Sequence, residues 1–147
     1  MFRLAITLCL FFNFFPDVFA VTAAEREALV ALYRATDGAN WTNKWDLNKP
    51  ISEWFGVTLI NNSRVENIKL PGNNLVGILP DELGSLTEMT LMDLGSNNIA
   101  GEIPTSLGDL GKMKFIFLHN NKLSGIIPSE LGDMENIEVM LLRGNKL

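Results

Sequence analysis

The chain has 147 residues, a length that fits one domain or part of a larger protein and excludes a complete kinase domain joined to a sensor. Its 12 lysine and arginine residues against 17 aspartate and glutamate residues give a formal charge of -5, the wrong sign for a surface that follows a phosphate backbone, so we expect no nucleic-acid partner. The single cysteine, Cys9, lies in the first twenty residues, so the remaining chain can form neither an internal disulfide nor a thiolate metal site.

Residues 1–20 have the pattern of a secretory signal peptide. Arg3 supplies a short positive region, residues 4–15 form an apolar run, and Pro16 ends it. The Val-Phe-Ala sequence that ends at Ala20 resembles a small-x-small cleavage site, which predicts cleavage near that residue. The run is shorter than the about 20 residues that span a bilayer, so a cleaved leader is favoured over an uncleaved anchor or a buried helix. The predicted location is therefore extracellular, either secreted or at the cell surface.

Residues 21–64 are predicted to form an N-terminal cap that begins with a helix. The sequence from Thr22 to Glu25 is a capping box, in which the hydroxyl and the carboxylate satisfy amides of the first turn. Arg26 is expected to face solvent, and Gly38 is expected to end the helix in a left-handed bend. The apolar face, which we expect to cover the first of the repeats described below, consists of Ala28, Leu29, Leu32 and Tyr33.

Three tryptophans follow in a segment too short for an aliphatic core of its own. They are Trp41, Trp45 and Trp54. Large rings at this density more often pack against one another than bind a ligand, so we predict an aromatic cluster inside the cap. Residues 54–59 are predicted to form a strand that leads into the repeats.

Two N-x-[ST] sequons lie in predicted loops. They begin at Asn40 and Asn61 and read Asn-Trp-Thr and Asn-Asn-Ser. Both are predicted as glycosylation sites of a secreted chain, although a three-residue pattern is often left unmodified.

From Val65 onward the sequence repeats with a period of 24 residues. Three full units are predicted at residues 65–88, 89–112 and 113–136, with a partial unit at residues 137–147. Apolar residues recur at the first, fourth, sixth and eleventh positions of each unit, which is the pattern of a leucine-rich repeat. The recurring asparagines are Asn73, Asn97, Asn121 and Asn145, and the recurring prolines are Pro80, Pro104 and Pro128.

Each repeated residue type has a physical role in a stacked coil. Positions four and six differ by two, which predicts a short strand with those side chains pointing inward. The asparagine amides are expected to form a structural ladder that pairs backbone groups at the bend after each strand. Gly77, Gly101 and Gly125 are expected at a bend that excludes a side chain, and the prolines at the start of short helical turns.

The fold class that follows is α/β. One unit cannot bury its own inward face, so the units must stack, with each strand parallel to its neighbours. We predict a right-handed leucine-rich repeat solenoid with a parallel concave β-sheet and an N-terminal helical cap.

Residues 75–80, 99–104 and 123–128 resemble the L-x-G-x-I-P signature of plant-type leucine-rich repeats. The likeness extends over essentially all of residues 65–147. It implies a secreted or cell-surface protein of the class that includes receptor-kinase ectodomains and polygalacturonase-inhibiting proteins, and it implies recognition with no active site in the repeats. The cap around Trp54 also resembles that of the family, but the cysteine pair that usually brackets this segment is missing here.

Side chains that alternate with the buried ones on each strand are expected to lie on the concave surface. The columns are Asn67, Leu91, Phe115 and Val139, then Lys69, Asp93, Phe117 and Leu141, then Pro71, Gly95, His119 and Arg143. The apolar patch is defined here as Leu91, Phe115, Phe117, Val139 and Leu141. A patch of this kind usually marks an interaction site, and we predict that it binds an apolar segment of a protein or peptide, flanked by His119 and Arg143. The alternatives are that self-association or further repeats cover it.

Two polar features of this surface have structural interpretations. Lys69 and Asp93 are neighbours of opposite charge, which is expected to stabilise the sheet slightly. His119 is the single histidine, and we expect it to be solvated rather than catalytic.

The motifs that carry catalysis or bind cofactors do not occur in the sequence. It has no G-x-S-x-G elbow, no H-E-x-x-H motif and no EF-hand spacing. Residues 108–113 suggest a phosphate loop, but Ser106 stands where the first glycine is required and Met113 where Ser or Thr is required. We therefore expect no enzyme activity, no cofactor and no metal.

The predicted function is an extracellular recognition module that binds a protein or peptide partner. One alternative is the N-terminal ectodomain fragment of a receptor-like kinase, and another is an inhibitor of extracellular cell-wall hydrolases. The sequence stops within a repeat at Leu147, so we expect either that further sequence follows or that another chain covers this end. A membrane is expected as a partner only if the full-length chain continues into a transmembrane segment.

Overall fold

The computed structural model describes residues 21–147, so the predicted signal peptide at residues 1–20 lies outside the described part of the chain. The described residues contain one α-helix, α1, at Ala23–Ala35. The strands are β1 (Val57–Ile60), β2 (Arg64–Lys69), β3 (Val76–Ile78), β4 (Leu91–Asp93), β5 (Asn98–Gly101), β6 (Phe115–Phe117), β7 (Lys122–Leu123) and β8 (Val139–Leu141). Short 3-10 turns lie at Gly38–Asn40, Ile51–Glu53, Asp81–Ser85, Thr105–Asp109 and Ser129–Asp133.

The principal sheet has five strands in the order β1-β2-β4-β6-β8. Strands β2, β4, β6 and β8 run parallel, whereas β1 pairs antiparallel with β2. The parallel strands stack with residues one period apart opposite one another, so that Ile68 lies opposite Met92 and Met92 opposite Ile116. The predicted solenoid, with its parallel sheet and its N-terminal helical cap, is confirmed.

A second sheet of three parallel strands, in the order β3-β5-β7, was not predicted. It forms on the bend after each ladder asparagine, where the sequence has a glycine and no alternation of apolar and polar residues. Pairing between successive turns of the coil creates these strands, with Val76 opposite Asn98 and Ala100 opposite Lys122. The stacking therefore imposes an extended conformation that no local pattern indicates.

The repeated apolar residues form a continuous core. The side chains that recur at the strand positions are fully buried in the first three units, as are the leucines of the 3-10 turns on the opposite side. Burial on both sides of these units indicates that a unit does not enclose its own apolar residues and that stacking does so. These buried residues are Val65, Ile68, Leu70, Leu75, Leu83, Leu86, Met89, Met92, Leu94, Ile99, Leu107, Leu110, Met113, Ile116, Leu118 and Leu123.

The asparagines form the predicted ladder. The Oδ1 atom of Asn97 accepts hydrogen bonds from the backbone amides of Asn73 at 2.9 Å and Leu75 at 3.0 Å. Its Nδ2 atom donates to the carbonyl oxygens of Leu70 and Leu94, both at 2.9 Å. One side chain thus pairs backbone groups of two successive units, which would otherwise be buried without partners.

The cap supplies the first rung of this ladder through Asn43. The backbone amide of Asn43 donates to Oδ1 of Asn73 at 2.7 Å, and Nδ2 of Asn73 donates back to the Asn43 carbonyl at 3.2 Å. The Thr42 amide donates to the Asn73 carbonyl at 3.0 Å. Asn43 therefore makes the contacts that the ladder asparagine of a preceding repeat would make. The sequence did not indicate this role, because Asn43 lies 30 residues before Asn73 and not 24.

Helix α1 begins with the predicted capping box. The backbone amide of Glu25 donates to the Thr22 hydroxyl oxygen at 3.2 Å, and the Thr22 amide donates to the Glu25 carboxylate at 3.3 Å. The helix packs against β3 and the turn at Asp81–Ser85, so it covers the first repeat as expected. The left-handed residue after the helix is Asp37, with φ 57°, and not Gly38. Gly38 is required for another reason, because a side chain there would overlap the ring of Tyr33.

The three tryptophans form the predicted aromatic cluster. Trp41, Trp45 and Trp54 are 1–3% exposed. Trp45 stacks on Trp54 with ring centroids 4.8 Å apart and meets Trp41 edge to face at 4.9 Å. The Arg26 guanidinium, which was expected in solvent, lies 5.3 Å from the Trp54 ring centroid and donates to the Leu47 carbonyl at 2.6 Å. The prediction for Arg26 is wrong because the cap folds back over its side chain.

The strand that leads into the repeats begins at Val57, three residues later than predicted. Trp54 ends the turn at Ile51–Glu53, with its amide donating to the Ile51 carbonyl at 3.0 Å. Strand β1 then returns antiparallel to β2 and forms one edge of the principal sheet.

The glycines and prolines after each strand lie where the repeat predicted them. Gly77 has φ 142°, and a Cβ atom there would overlap the Ala35 carbonyl oxygen at the end of α1. Gly101 and Gly125 also have positive φ angles. Pro80, Pro104 and Pro128 immediately precede the turns that begin at Asp81, Thr105 and Ser129.

Candidate recognition surface

The predicted columns on the face of the principal sheet lie in register. Leu91 is opposite Phe115 and Phe115 opposite Val139, while Phe117 lies between Asp93 and Leu141. The register follows from the 24-residue period, since repeats of equal length place equivalent residues of the parallel strands side by side. The structure therefore brings all five residues of the apolar patch together on adjacent strands.

Two aromatic rings lie at the centre of the apolar patch. The rings of Phe115 and Phe117 stack with centroids 6.4 Å apart and planes inclined by 30°. Both rings are half-buried, as are Leu91 and Leu141, whereas Val139 is 38% exposed. The patch is thus a nearly continuous apolar surface in which neighbouring side chains partly cover one another.

Lys69 and Asp93 are neighbours in register, but they form no ion pair among the described residues. The Asp93 carboxylate instead accepts a hydrogen bond from the Gly95 amide at 3.0 Å, two residues along its own chain. Instead of the expected ion pair with Lys69, Asp93 therefore forms a hydrogen bond within its own repeat, at the end of β4.

His119 is less solvated than predicted. Its ring lies across Gly95, where any side chain would overlap it. Its Nδ1 atom is buried and has no hydrogen-bond partner in the described part of the chain. The ring is partly buried because it packs against a glycine, which has no side chain to hold it away. The sequence did place the two residues side by side, since Gly95 and His119 occupy equivalent positions in successive repeats.

Arg143 is exposed beside His119 in the next unit. Its backbone carbonyl accepts a hydrogen bond from the Asn120 amide at 2.8 Å, which fixes the backbone at this point. Its guanidinium takes part in none of the ion pairs found within residues 21–147. The apolar patch is therefore bordered on this side by a positive charge without an internal counter-ion.

A network of charges lies where the strands of the principal sheet begin. The Arg64 side chain donates from Nε to the buried Glu25 carboxylate at 3.0 Å and lies 4.0 Å from Glu88. Lys112 donates to the same Glu88 carboxylate. The hydrogen bond from Lys112 lowers the pKa of Glu88 below its usual value, although partial burial opposes the shift. The sequence did not indicate this network, because its members come from the cap and from two different repeat units.

A second apolar surface was also missed. Val76 and Ile78 on β3 are 43% and 57% exposed. Beside them, a groove of about 440 Å³ is lined by Ile78 and, among others, the carboxylates of Asp81 and Glu102. The only sequence signal is that apolar residues flank Gly77 on both sides.

The two predicted glycosylation sites have different surroundings. Asn40 is exposed, and its amide donates to both carboxylate oxygens of Asp37, at 3.1 and 3.0 Å. Asn61 is exposed in the turn between β1 and β2.

Within residues 21–147, no cluster of His, Cys, Asp and Glu side chains could hold a metal ion. The same residues include no helix that is both long and apolar enough to cross a membrane.

Comparison with known proteins agrees with this geometry. A sequence model described as Leucine Rich Repeat matches residues 88–110 and 112–134. The chain is 36% identical over 80 residues to a probable leucine-rich repeat receptor-like protein kinase of Arabidopsis thaliana. That alignment includes 45% of this chain and 8% of the kinase, so the chain corresponds to a small part of such a protein.

Solved structures of plant ectodomains have the same fold. The BIR2 ectodomain from Arabidopsis thaliana is 30% identical, with a TM-score of 0.74 over 86% of this chain and 69% of that one. The ectodomain of the Arabidopsis thaliana receptor kinase GASSHO1/SCHENGEN3, solved in complex with CASPARIAN STRIP INTEGRITY FACTOR 2, is 31% identical. Its TM-score is 0.77 over 82% of this chain and 15% of that one. From its repeats, its stacked strands and these relatives, we conclude that the chain belongs to the plant-type leucine-rich repeat family.

Proposed function

We propose that this chain is an extracellular recognition module that binds an apolar segment of a protein or peptide on the apolar patch. The observation that carries the proposal is the pair of stacked rings of Phe115 and Phe117, with Leu91, Val139 and Leu141 in register beside them. Aromatic residues at the centre of an apolar surface dominate the affinity of many interfaces. The relatives are receptor kinases, one of them solved with a bound factor, which supports a protein or peptide as the partner.

The surroundings of the apolar patch define its expected ligand. Arg143 is exposed on one side, and Lys69 and Asp93 lie at the far end of one column. A ligand with an apolar centre and a negative group that reaches Arg143 would bury the rings and supply the missing counter-ion. We propose that this arrangement recognises its ligand without chemical change.

A receptor ectodomain is the second function that a specific observation favours. The similarity to a probable receptor-like kinase extends over 80 residues, and the chain aligns with 69% of the BIR2 ectodomain. On this proposal, the chain supplies the ligand-binding end of a cell-surface receptor. The signal peptide predicted at residues 1–20 would direct it to the secretory pathway.

Peptide selection tests the apolar patch directly. Peptides from a random displayed library are selected on the purified chain, and their Kd is measured for wild type, for Phe115→Asp with Phe117→Asp, and for Ile78→Asp. We expect the double variant to weaken binding by about 30-fold or more, since loss of a central aromatic anchor typically costs at least about 2 kcal/mol. Ile78→Asp is the control, because it also introduces an aspartate at an exposed apolar residue, but on the second sheet.

The control defines the result that contradicts the proposal. If Ile78→Asp abolishes binding and the double variant binds as wild type, then the second sheet carries recognition. Circular dichroism spectra and melting curves of all three proteins establish that the comparison is made between folded chains.

A further inference from the structure

We infer that Asn61 is the N-glycosylated residue of this chain, that Asn40 is left largely unmodified, and that the glycan covers the free edge of the principal sheet. The inference rests on the proposed extracellular location. The two sequons satisfy the same three-residue rule, so the difference between them comes from the fold.

The sequon at Asn61 belongs to an open turn. Both central residues, Asn61 and Asn62, have left-handed backbone angles, with φ 50° and 54°. The turn is closed by the Ser63 amide, which donates to the Ile60 carbonyl at 3.1 Å. Among the described residues the Asn61 side-chain amide makes no hydrogen bond, so a sugar on Nδ2 displaces no internal contact.

The sequon at Asn40 is held within the cap. The Asn40 amide binds the Asp37 carboxylate, and the Asn40 carbonyl accepts from Nδ2 of Asn74 at 2.9 Å. Trp41 is 1% exposed, and the Thr42 amide is bonded to the first repeat. The contact with Asp37 is local, and local contacts form early in folding. The bonds to residues 73 and 74 form when the cap packs against the first repeat. Folding of the cap therefore removes this sequon from the modifying enzyme while the turn at residues 61–63 stays accessible.

The covalent step requires a sugar donor of the oligosaccharyl lipid diphosphate class. A bond forms between Nδ2 of Asn61 and the anomeric carbon of the sugar. The bond from that carbon to the diphosphate oxygen breaks, and the lipid diphosphate leaves with the electron pair. One Nδ2 proton is transferred to a base of the transferase.

The position of Asn61 gives the glycan a structural role. Strand β1 is an edge of the principal sheet and pairs only with β2 within the described residues. Phe55, two residues before this strand, is 50% exposed, and Ile60, its last residue, is 39% exposed. An exposed apolar edge strand is a template for pairing with another chain, and natural proteins cover such edges. A hydrated glycan on the adjoining turn is expected to block pairing of β1 with an edge strand of another chain.

The test compares sequon variants of the full chain secreted from eukaryotic cells. Ser63→Ala removes the Asn61 sequon without altering either left-handed residue, Ser63→Thr keeps the sequon, and Thr42→Ala removes the Asn40 sequon. We expect wild type, Ser63→Thr and Thr42→Ala to show the same mobility shift on glycosidase treatment, and Ser63→Ala to show none. Ser63→Ala and glycosidase-treated wild type are expected to elute as larger species in size-exclusion chromatography.

Three results would overturn the inference. They are a shift that survives Ser63→Ala and disappears in Thr42→Ala, a secreted wild type with no shift, and an unglycosylated chain that elutes as wild type does. In each case peptide binding to the apolar patch remains a separate measurement, so the proposed function stands or fails on its own. Retention of wild type inside the cell would instead contradict the extracellular location.

Discussion

The two ends of the coil bury equivalent side chains to very different extents. Leu79 and Ile103 occupy the same position in the first two repeats and are 4% and 2% exposed, whereas Ile127 in the third is 53% exposed. At the other end, the cap covers the first repeat with α1 and three tryptophans. Equivalent residues of the repeat therefore differ in burial. In this fold a side chain is buried only where a neighbouring unit packs against it, whatever its residue type.

The largest expected effect concerns the capped end. Trp54→Ala removes a ring that is 3% exposed and stacked on Trp45, and it should destabilise the chain by about 3 to 5 kcal/mol. Phe55→Ala is the control, because the neighbouring Phe55 is 50% exposed and should cost under about 1 kcal/mol. Urea denaturation followed by tryptophan fluorescence and circular dichroism measures both. Equal losses in the two variants would show that the cluster does not hold the cap.

The next effect compares an inner rung of the ladder with the last one. Asn97→Ala leaves the buried amides of Asn73 and Leu75 and the Leu70 carbonyl without their partner, while the Leu94 carbonyl keeps its bond from Asn121. At about 1 kcal/mol for each of the three groups we expect a loss of about 3 kcal/mol. Asn145→Ala should cost less, since Asn145 is only partly buried and water can reach its partners. Denaturation midpoints of the two variants provide the measurement, and a costlier Asn145→Ala would contradict the stacking argument.

A third pair of variants makes the same substitution, isoleucine to alanine, at equivalent positions of two repeats that differ in burial. Ile103→Ala should cost about 2 kcal/mol or more, because it leaves a cavity beneath the following unit. Ile127→Ala removes the same atoms from an exposed position and should cost under about 1 kcal/mol. Similar melting temperatures for the two variants would mean that Ile127 is covered in solution.

The smallest expected effect is the pH dependence contributed by Glu88. Its pKa is lowered in the folded chain, chiefly by the hydrogen bond from Lys112, so it adds stability above its usual pKa of about 4.5. That contribution is lost as the pH falls from this value through the lower pKa of the folded state. Glu88→Gln should therefore flatten the stability profile in this range and leave the slope above pH 6 unchanged, as measured by urea denaturation at a series of pH values. If the stability of Glu88→Gln fell with decreasing pH as steeply as that of wild type, Glu88 would not contribute to the charge network.

Most of the fold could be predicted because it depends on side chains that recur at a fixed interval. The interval places Phe115 beside Leu91 and Val139, so even the make-up of the apolar patch followed from the sequence. The second sheet could not be predicted, since the segment around Gly77 has no apolar alternation. The surroundings of Arg26 were mispredicted because its partner Trp54 lies 28 residues away and outside the repeat. The period did place His119 beside Gly95, but it does not specify how closely the ring packs on that glycine.

Sequence alone predicts the period, the strands of the principal sheet, the asparagine ladder and the capping box, because each depends on local or strictly periodic contacts of the backbone. Only the tertiary structure decided that Asn43 supplies the first rung and that Glu25 is buried against Arg64. It also decided that equivalent isoleucines differ in exposure. The physical reason is that these properties depend on what lies against a side chain after stacking, and a repeat specifies the unit but not its neighbours at each end.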